Sequence, residues 1–130
     1  MDQTHRLDLR VYYEDTDFSG VVYHASYLRF LERGRTECLR ALGLDQASLF
    51  AEGLAFAVRS LSIDYLAPAR MDDVLTVETG ITAIGGASLE MTQAALRGGQ
   101  TLASARVKVA CLRAGRPTRL PPALREMRRR

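Results

Sequence analysis

From His5 to Tyr13 apolar and polar side chains alternate: Leu7, Leu9, Val11 and Tyr13 fall on one side, Arg6, Asp8, Arg10 and Tyr12 on the other. A period of two predicts a half-buried strand. Past Gly20 the rhythm changes. Tyr27, Leu28, Leu31, Cys38, Leu39 and Leu42 recur at steps of three and four, with Arg29, Glu32, Arg33, Thr36, Glu37 and Arg40 on the other faces, which predicts a long amphipathic helix. Gly43 stands where a left-handed C-terminal cap belongs. Asp45 is placed to N-cap a short helical piece, Gln46 to Phe50, that ends near Gly53.

Strand patterns return at Phe56 to Tyr65, where Phe56, Val58, Leu61, Ile63 and Tyr65 are apolar and the step from 58 to 61 predicts a bulge. Pro68 and Asp72-Asp73 mark a turn. Val74 to Ile84, Ala87 to Arg97 and Gln100 to Leu112 then read as strands, joined by Gly85-Gly86 and Gly98-Gly99. Pro117, Pro121 and Pro122 are expected to end regular structure before an Arg-rich end. Consecutive strands with tight turns predict an antiparallel meander, and a helix with one apolar stripe must bury it on one sheet face, so the fold class is α+β. A single helix covers little of a five-stranded sheet, so a homo-oligomer is expected.

At 130 residues the chain is read as one domain, 1–130, with a basic, less regular end from about residue 113. No run of eighteen apolar residues is present. Residues 1–6 have neither the basic nor the apolar region of a secretory signal, so an intracellular, cytoplasmic protein is expected. Cys38 and Cys111 then read as buried thiols rather than a disulfide. The net charge of +3 is uneven: residues 1–112 carry 11 basic and 14 acidic side chains, residues 113–130 seven Arg and one Glu. Arg makes up seventeen of the eighteen basic residues throughout, and the basic end has no interleaved aromatics, so a nucleic-acid partner is not expected.

The candidate chemistry lies between the first strand and the helix. Glu14-Asp15-Thr16-Asp17-Phe18-Ser19-Gly20 packs three carboxylates, two hydroxyls and a glycine into seven residues, a turn-forming composition. Val21 to His24 are expected to enter the helix, whose start offers unpaired N–H donors and partial positive charge beside Asp17. A carboxylate next to an oxyanion-stabilising helix end is the minimum for acyl transfer. On residues alone Asp17 reads equally well as a turn stabiliser; Asp15 reads as the residue that structures the loop. Gly20 allows a positive φ or a close backbone approach. Tyr13, Tyr23 and Tyr27 read as core or pocket wall before chemistry. Arg35 falls on the apolar stripe and needs a partner if buried, with Glu32 at helical spacing to supply one. No His, Cys and carboxylate set has metal spacing and no phosphate-binding glycine loop occurs, so neither a metal nor a redox cofactor is expected.

Tyr13-Glu14-Asp15-Thr16-Asp17, Gly20-Val21-Val22-Tyr23-His24, Tyr27-Leu28 and Glu32-Arg33-x-Arg35 resemble the signature of hotdog-fold acyl-CoA thioesterases, in particular the 4-hydroxybenzoyl-CoA thioesterase family and its Tol–Pal-associated branch. Ser62-x-Asp64-Tyr65-x-x-Pro68-Ala69-Arg70-x-Asp72-Asp73 fits the same family, and the likeness fades after about residue 112. The resemblance implies a sheet of about five strands wrapped around the helix, dimers formed by edge pairing and commonly arranged as tetramers, and a pocket at a subunit boundary. It implies hydrolysis of an acyl-CoA thioester, with Asp17 as nucleophile or base and the backbone N–H at His24 or a neighbour gripping the thioester oxygen. Asp17, Gly20, Tyr23 and His24 are thus the catalytic segment, His24 positioning water or protonating the leaving thiolate. Tyr13, Tyr27 and Arg70 are candidate substrate or CoA contacts, Arg suiting the CoA phosphates; Glu32 is the backup carboxylate, because other hotdog thioesterases carry theirs on the helix. A dehydratase or hydratase using His24, or a non-catalytic module binding acyl groups, an acyl carrier protein or an envelope partner, are the rival readings. The hydrolase reading requires the Asp17 carboxylate to face the helix-start amides across a cavity.

Overall fold

The computed structural model describes residues 4–127. Strand β1 (His5–Arg10) leads through a 3₁₀ turn at Tyr13–Asp15 and a loop into helix α1 (Ser26–Ala41) and short α2 (Gln46–Ala51). Strands β2 (Leu54–Tyr65), β3 (Val74–Ile84), β4 (Ser88–Arg97) and β5 (Gln100–Arg113) follow, then the two-residue β6 (Arg116–Pro117) and helix α3 (Pro122–Met127). The last two correct the expected end of regular structure. Arg116–Pro117 pairs with β5, and Pro122 opens α3, a position where its missing N–H costs nothing. β1 also stops short of Tyr13: the Val11 N–H still donates to the Asp73 carbonyl at 2.8 Å, but the Asp73 N–H turns away to the Arg70 carbonyl and the Val11 carbonyl takes the Asp72 N–H instead.

All pairings are antiparallel, in the order β1-β3-β4-β5-β2. The two Gly-Gly turns make β3, β4 and β5 a meander, as expected, but β2 does not continue it. It pairs with β5 at the edge opposite β1, so the chain after Tyr65 returns across the sheet to β3. The predicted bulge lies in β2, where the register shifts between Val58 and Ser60. The shift sets Phe56, Leu61 and Ile63 opposite Cys111, Val107 and Ala105. Without it a period-two strand would turn Leu61 and Ile63 to the other face.

The inner face of the curled sheet presents Leu75, Val77, Leu89, Met91, Val107 and Cys111 to Phe30, Leu31 and Leu39 of α1, all at most 2% exposed. Each large apolar side chain so buried contributes about 1.5–3 kcal/mol. This is the α+β hotdog fold, an antiparallel sheet of five main strands around one long helix. The helix is rotated slightly from the expected phase: Phe30 is buried and Leu28 lies outward, 42% exposed. Gly43 caps it at φ +85°, with the Gly43 and Leu44 N–H groups donating to the Arg40 and Leu39 carbonyls.

Two polar details seat α1 on the sheet. Gly34 faces β3 and β4 so closely that a β-carbon there would lie 2.6 Å from Val77 Cγ1 and 2.9 Å from Thr79 Oγ1. Beside it Gln93 Nε2 donates to the Leu31 carbonyl at 2.8 Å and to Thr79 Oγ1 at 2.9 Å, while its Oε1 accepts from Arg35 at 3.0 Å. Arg35 thus takes Gln93 as its hydrogen-bond partner, while Glu32 acts on its charge from nearby without a direct ion pair; burial pulls the guanidinium down and Glu32 opposes that. Both cysteines are free and buried, and burial pushes the Cys38 thiol up from its ordinary value.

The Gly34 contact predicts that Gly34→Ala destabilises the protein by about 1–3 kcal/mol, overpacking outweighing the better helix propensity of alanine. Urea unfolding should show a lower midpoint at unchanged slope. An unchanged or raised midpoint would mean that α1 stands off the sheet at this point.

Candidate active site

Asp15 builds the loop that precedes α1. It is 4% exposed, its Oδ2 accepts the Tyr12 N–H at 2.9 Å, and Arg29 of α1 lies 3.7 Å from Oδ1. Its carbonyl accepts the Tyr23 N–H, so one residue ties the 3₁₀ turn, the loop and the helix together. The loop closes on itself where the Asp17 N–H donates to the Val21 carbonyl at 2.9 Å and the Gly20 N–H to the Asp17 carbonyl at 3.2 Å. Gly20 adopts φ +83° with open space around its α-carbon, so conformation is what the position demands.

Val21 and Val22 do not enter the helix as expected. Val21 bridges to Arg70 and Val22 to Thr16, and the Val22 N–H donates to the Ala69 carbonyl at 2.7 Å. β-branched residues suit this extended pairing better than a first helical turn. The helix therefore begins at Ser26, whose N–H donates to the Tyr23 carbonyl at 2.8 Å; the Tyr27 N–H reaches the His24 carbonyl at 3.3 Å. The N–H groups of His24 and Ala25 find no acceptor among the described residues. They are the donors at the positive end of a sixteen-residue helix.

An open pocket of about 320 Å³ lies at this segment, lined by Val22, His24, Tyr27, Tyr65, Leu66, Ala67 and Pro68; Ala25 is next to it in the chain and not in its lining. The His24 ring sits 4.5 Å from that of Tyr23 and 5.9 Å from that of Tyr65. Tyr27 is buried, its Oη accepts the Ala69 N–H at 3.2 Å, and burial pushes its phenol above the ordinary value, which fits a neutral wall. Tyr65 was not picked out from the sequence beyond its place in the matched motif. Here its ring lies 5.5 Å from Tyr27 and its hydroxyl donates to the His24 carbonyl at 3.1 Å.

Asp17 departs from the expectation. Its side chain is exposed and does not line this cavity within one chain. Ser19 holds it there: Oδ1 accepts both the Ser19 N–H at 2.8 Å and the Ser19 hydroxyl at 2.6 Å. The hydroxyl first, then the backbone N–H, pull the carboxyl below its ordinary value. Tyr13 and Phe18 project into solvent on the same loop, and Tyr23 is about half exposed. Arg70 stands next to the loop through the Val21 bridge, with its side chain exposed and its N–H on Asp73 Oδ2 at 2.8 Å. Arg97 closes the same turn on Asp73 at 2.7 Å. Glu32 is brought elsewhere, to a second cavity of about 320 Å³ beside Arg35, Thr36 and Phe56. The structure thus brings His24 and Tyr27 together at the pocket, sets Arg70 of the β2–β3 turn beside the loop, and leaves Asp17 in solvent and Glu32 at another cavity.

Comparison with known proteins gives this geometry its context. Acyl-CoA thioester hydrolase YbgC of Escherichia coli O6:H1 is 51% identical over 108 residues, 82% of this chain and 81% of the relative. Acyl-CoA thioesterase YbgC of Haemophilus influenzae is 48% identical over 117 residues, 89% of this chain and 86% of the relative. The crystal structure of a probable thioesterase from Bartonella henselae superposes with a TM-score of 0.87 at 45% identity, covering 92% of this chain and 100% of that one. The profile of the thioesterase-like superfamily matches residues 11–127, nearly the whole described chain, and the protein belongs to that superfamily.

Proposed function

We propose that the protein hydrolyses an acyl-CoA thioester to the free acid and CoA, with Asp17 as nucleophile or general base. The observation that supports this reading is the pair of free amides at His24 and Ala25 at the head of α1, where His24 also lines a pocket. Attack on the thioester carbon places negative charge on the carbonyl oxygen, and fixed backbone donors stabilise it without reorganising; losing one such donor typically costs roughly 3 kcal/mol in barrier height. Collapse of the tetrahedral species expels the CoA thiolate, giving the acid directly where Asp17 activates water, or an acyl–Asp17 anhydride that a water then cleaves where Asp17 attacks; His24, in the pocket wall, positions that water or protonates the sulfur. Tyr27 and Tyr23 form wall, Tyr13 stays with the CoA contacts, and Arg70 is offered to a CoA phosphate. The scheme needs no resident metal or redox group; CoA enters as part of the substrate.

Asp17 is exposed in one chain, so the scheme places the complete pocket at a boundary between two copies. The twelve-residue β2 lies at a sheet edge with Val58 and Tyr65 nearly half exposed, and natural proteins rarely leave such an edge uncovered. Among the described residues no helix is long and apolar enough to cross a membrane. We place the enzyme in the cytoplasm as a dimer or tetramer. An acyl-carrier or Tol–Pal-related partner rests on the resembled branch alone.

A second reading, dehydration or hydration of an acyl thioester led by His24, is favoured by one fact: His24 lines the cavity and Asp17 does not. Separate substitutions divide the two. Under hydrolysis Asp17→Asn lowers kcat on the order of 10²-fold or more, by comparison with losses typical of catalytic groups, and His24→Ala lowers it less, as read by free-thiol release from a series of acyl-CoA lengths. Hydrolysis that survives Asp17→Asn and is abolished by His24→Ala supports the second reading.

The Ser19 bonds generate a pH prediction. Asp17 must be ionised to act, and the Ser19 bonds pull its carboxyl down, against any rise that cover by a second copy brings, so the rate is retained through neutral pH and lost on the acid side. Ser19→Ala removes the hydroxyl bond and should move the acid limb of kcat/KM upward. An acid limb that does not respond to Ser19→Ala would assign it to another group.

A further inference from the structure

We infer that Tyr65 is a positioning residue for the oxyanion site, acting through the His24–Ala25 peptide; this rests on the thioesterase reading and adds a residue to it. The peptide unit is planar and trans, so its C=O and N–H point in opposite directions. The Tyr65 hydroxyl donates to the His24 carbonyl at 3.1 Å. Fixing that carbonyl fixes the direction of the N–H across the same peptide bond, which is the free N–H of Ala25.

The bond is needed because the helix does little to hold this peptide. In a regular α-helix the His24 carbonyl would take the Leu28 N–H, but that N–H donates to the Ala25 carbonyl at 3.2 Å instead. The helical bond left to the His24 carbonyl is the 3.3 Å contact from Tyr27 N–H. Its neighbour is held better: the Tyr23 carbonyl accepts the Ser26 N–H at 2.8 Å, which orients the His24 N–H by the same rule. So the two free donors have different supports, one from the helix backbone and one from a side chain on β2. A donor on a carbonyl also polarises its amide and strengthens the N–H on the far side. Tyr65 itself is kept in place by ring contacts to Tyr27 at 5.5 Å and His24 at 5.9 Å, so removal of the hydroxyl alone leaves the packing intact.

Tyr65→Phe tests this directly. With wild type and Asp17→Asn as references, kcat for acyl-CoA hydrolysis should fall roughly three- to tenfold, a fraction of the loss for a whole oxyanion donor. KM and the melting temperature should stay close to wild type, and in ¹H–¹⁵N correlation spectra of the substrate-free protein the Ala25 amide proton should move upfield. An unchanged kcat beside an inactive Asp17→Asn would overturn the role of Tyr65 and leave the hydrolase reading standing, as would a rise in KM at constant kcat, which marks Tyr65 as a simple wall contact. A wild type that releases no thiol from any acyl-CoA would remove the hydrolase reading. The Ala25 amide shift then judges the Tyr65 link by itself, and an unmoved resonance overturns it.

Discussion

The seat of α1 on the sheet is the constraint from which the other features follow. A sixteen-residue helix with apolar side chains can slide or roll on a curved sheet at little cost, because hydrophobic contact has no direction. Gly34 removes that freedom by allowing contact close enough to exclude even a methyl group at Val77 and Thr79. Gln93 adds direction, gripping the Leu31 carbonyl on one side and the Arg35 guanidinium on the other. Buried polar groups that are fully paired specify one arrangement where apolar packing tolerates several. Once α1 is fixed at its middle, its first turn is fixed too, since a helix is stiff over this length.

That first turn is where the chain places its free amides, and the surrounding links all converge there. Arg29 reaches back to Asp15, Tyr65 reaches across to His24, and Val22 is stitched to Ala69. The three links come from the helix, from the edge strand β2 and from the turn between β2 and β3. They hold the helix start open instead of letting the loop cap it. A side-chain cap from Ser, Thr or Asp would satisfy these N–H groups and stabilise the helix by about 1 kcal/mol. The N-cap position is Ala25, with no side chain able to do so. Stability is given up at the place where donors are left unpaired.

Much of this was legible in the sequence because it is local. Period-two runs located β3, β4 and β5 to within a residue, Gly43 marked the helix end, and the break at 58–61 marked the bulge in β2. What was not legible depends on partners distant in the chain. No pattern within β2 says that it pairs with β5 and not with β3. Arg35 was legible on the apolar stripe, but Phe30 and Gly34 were not, because the stripe was phased on Leu28, which lies outward; an isolated glycine in a helical pattern was the available signal. Val21 and Val22 were read as helix because their extended pairing depends on Thr16, Ala69 and Arg70. The candidate segment Asp17 to His24 was legible as a motif, whereas the exposure of Asp17 and the hydrogen bond of Tyr65 needed coordinates.

Asp15 and Asp17 differ by two positions and share one composition, yet their surroundings separate them. Asp15 is buried and its carboxylate is tied to Tyr12 and Arg29, which fixes it as part of the loop's frame. Asp17 has one oxygen committed twice to Ser19 and the other free. In open water that free oxygen is strongly solvated and, with its carboxyl pulled down, a poor base. Covering the loop by a second copy would exclude water, and desolvation acts against the Ser19 bonds by raising the carboxyl back toward the range where proton abstraction works. The Ser19 bonds would meanwhile keep the side chain from rotating away as the surface closes. On the proposed reading assembly and catalysis are therefore one requirement: the copy that covers the β2 edge also turns an exposed loop carboxylate into a reactive one.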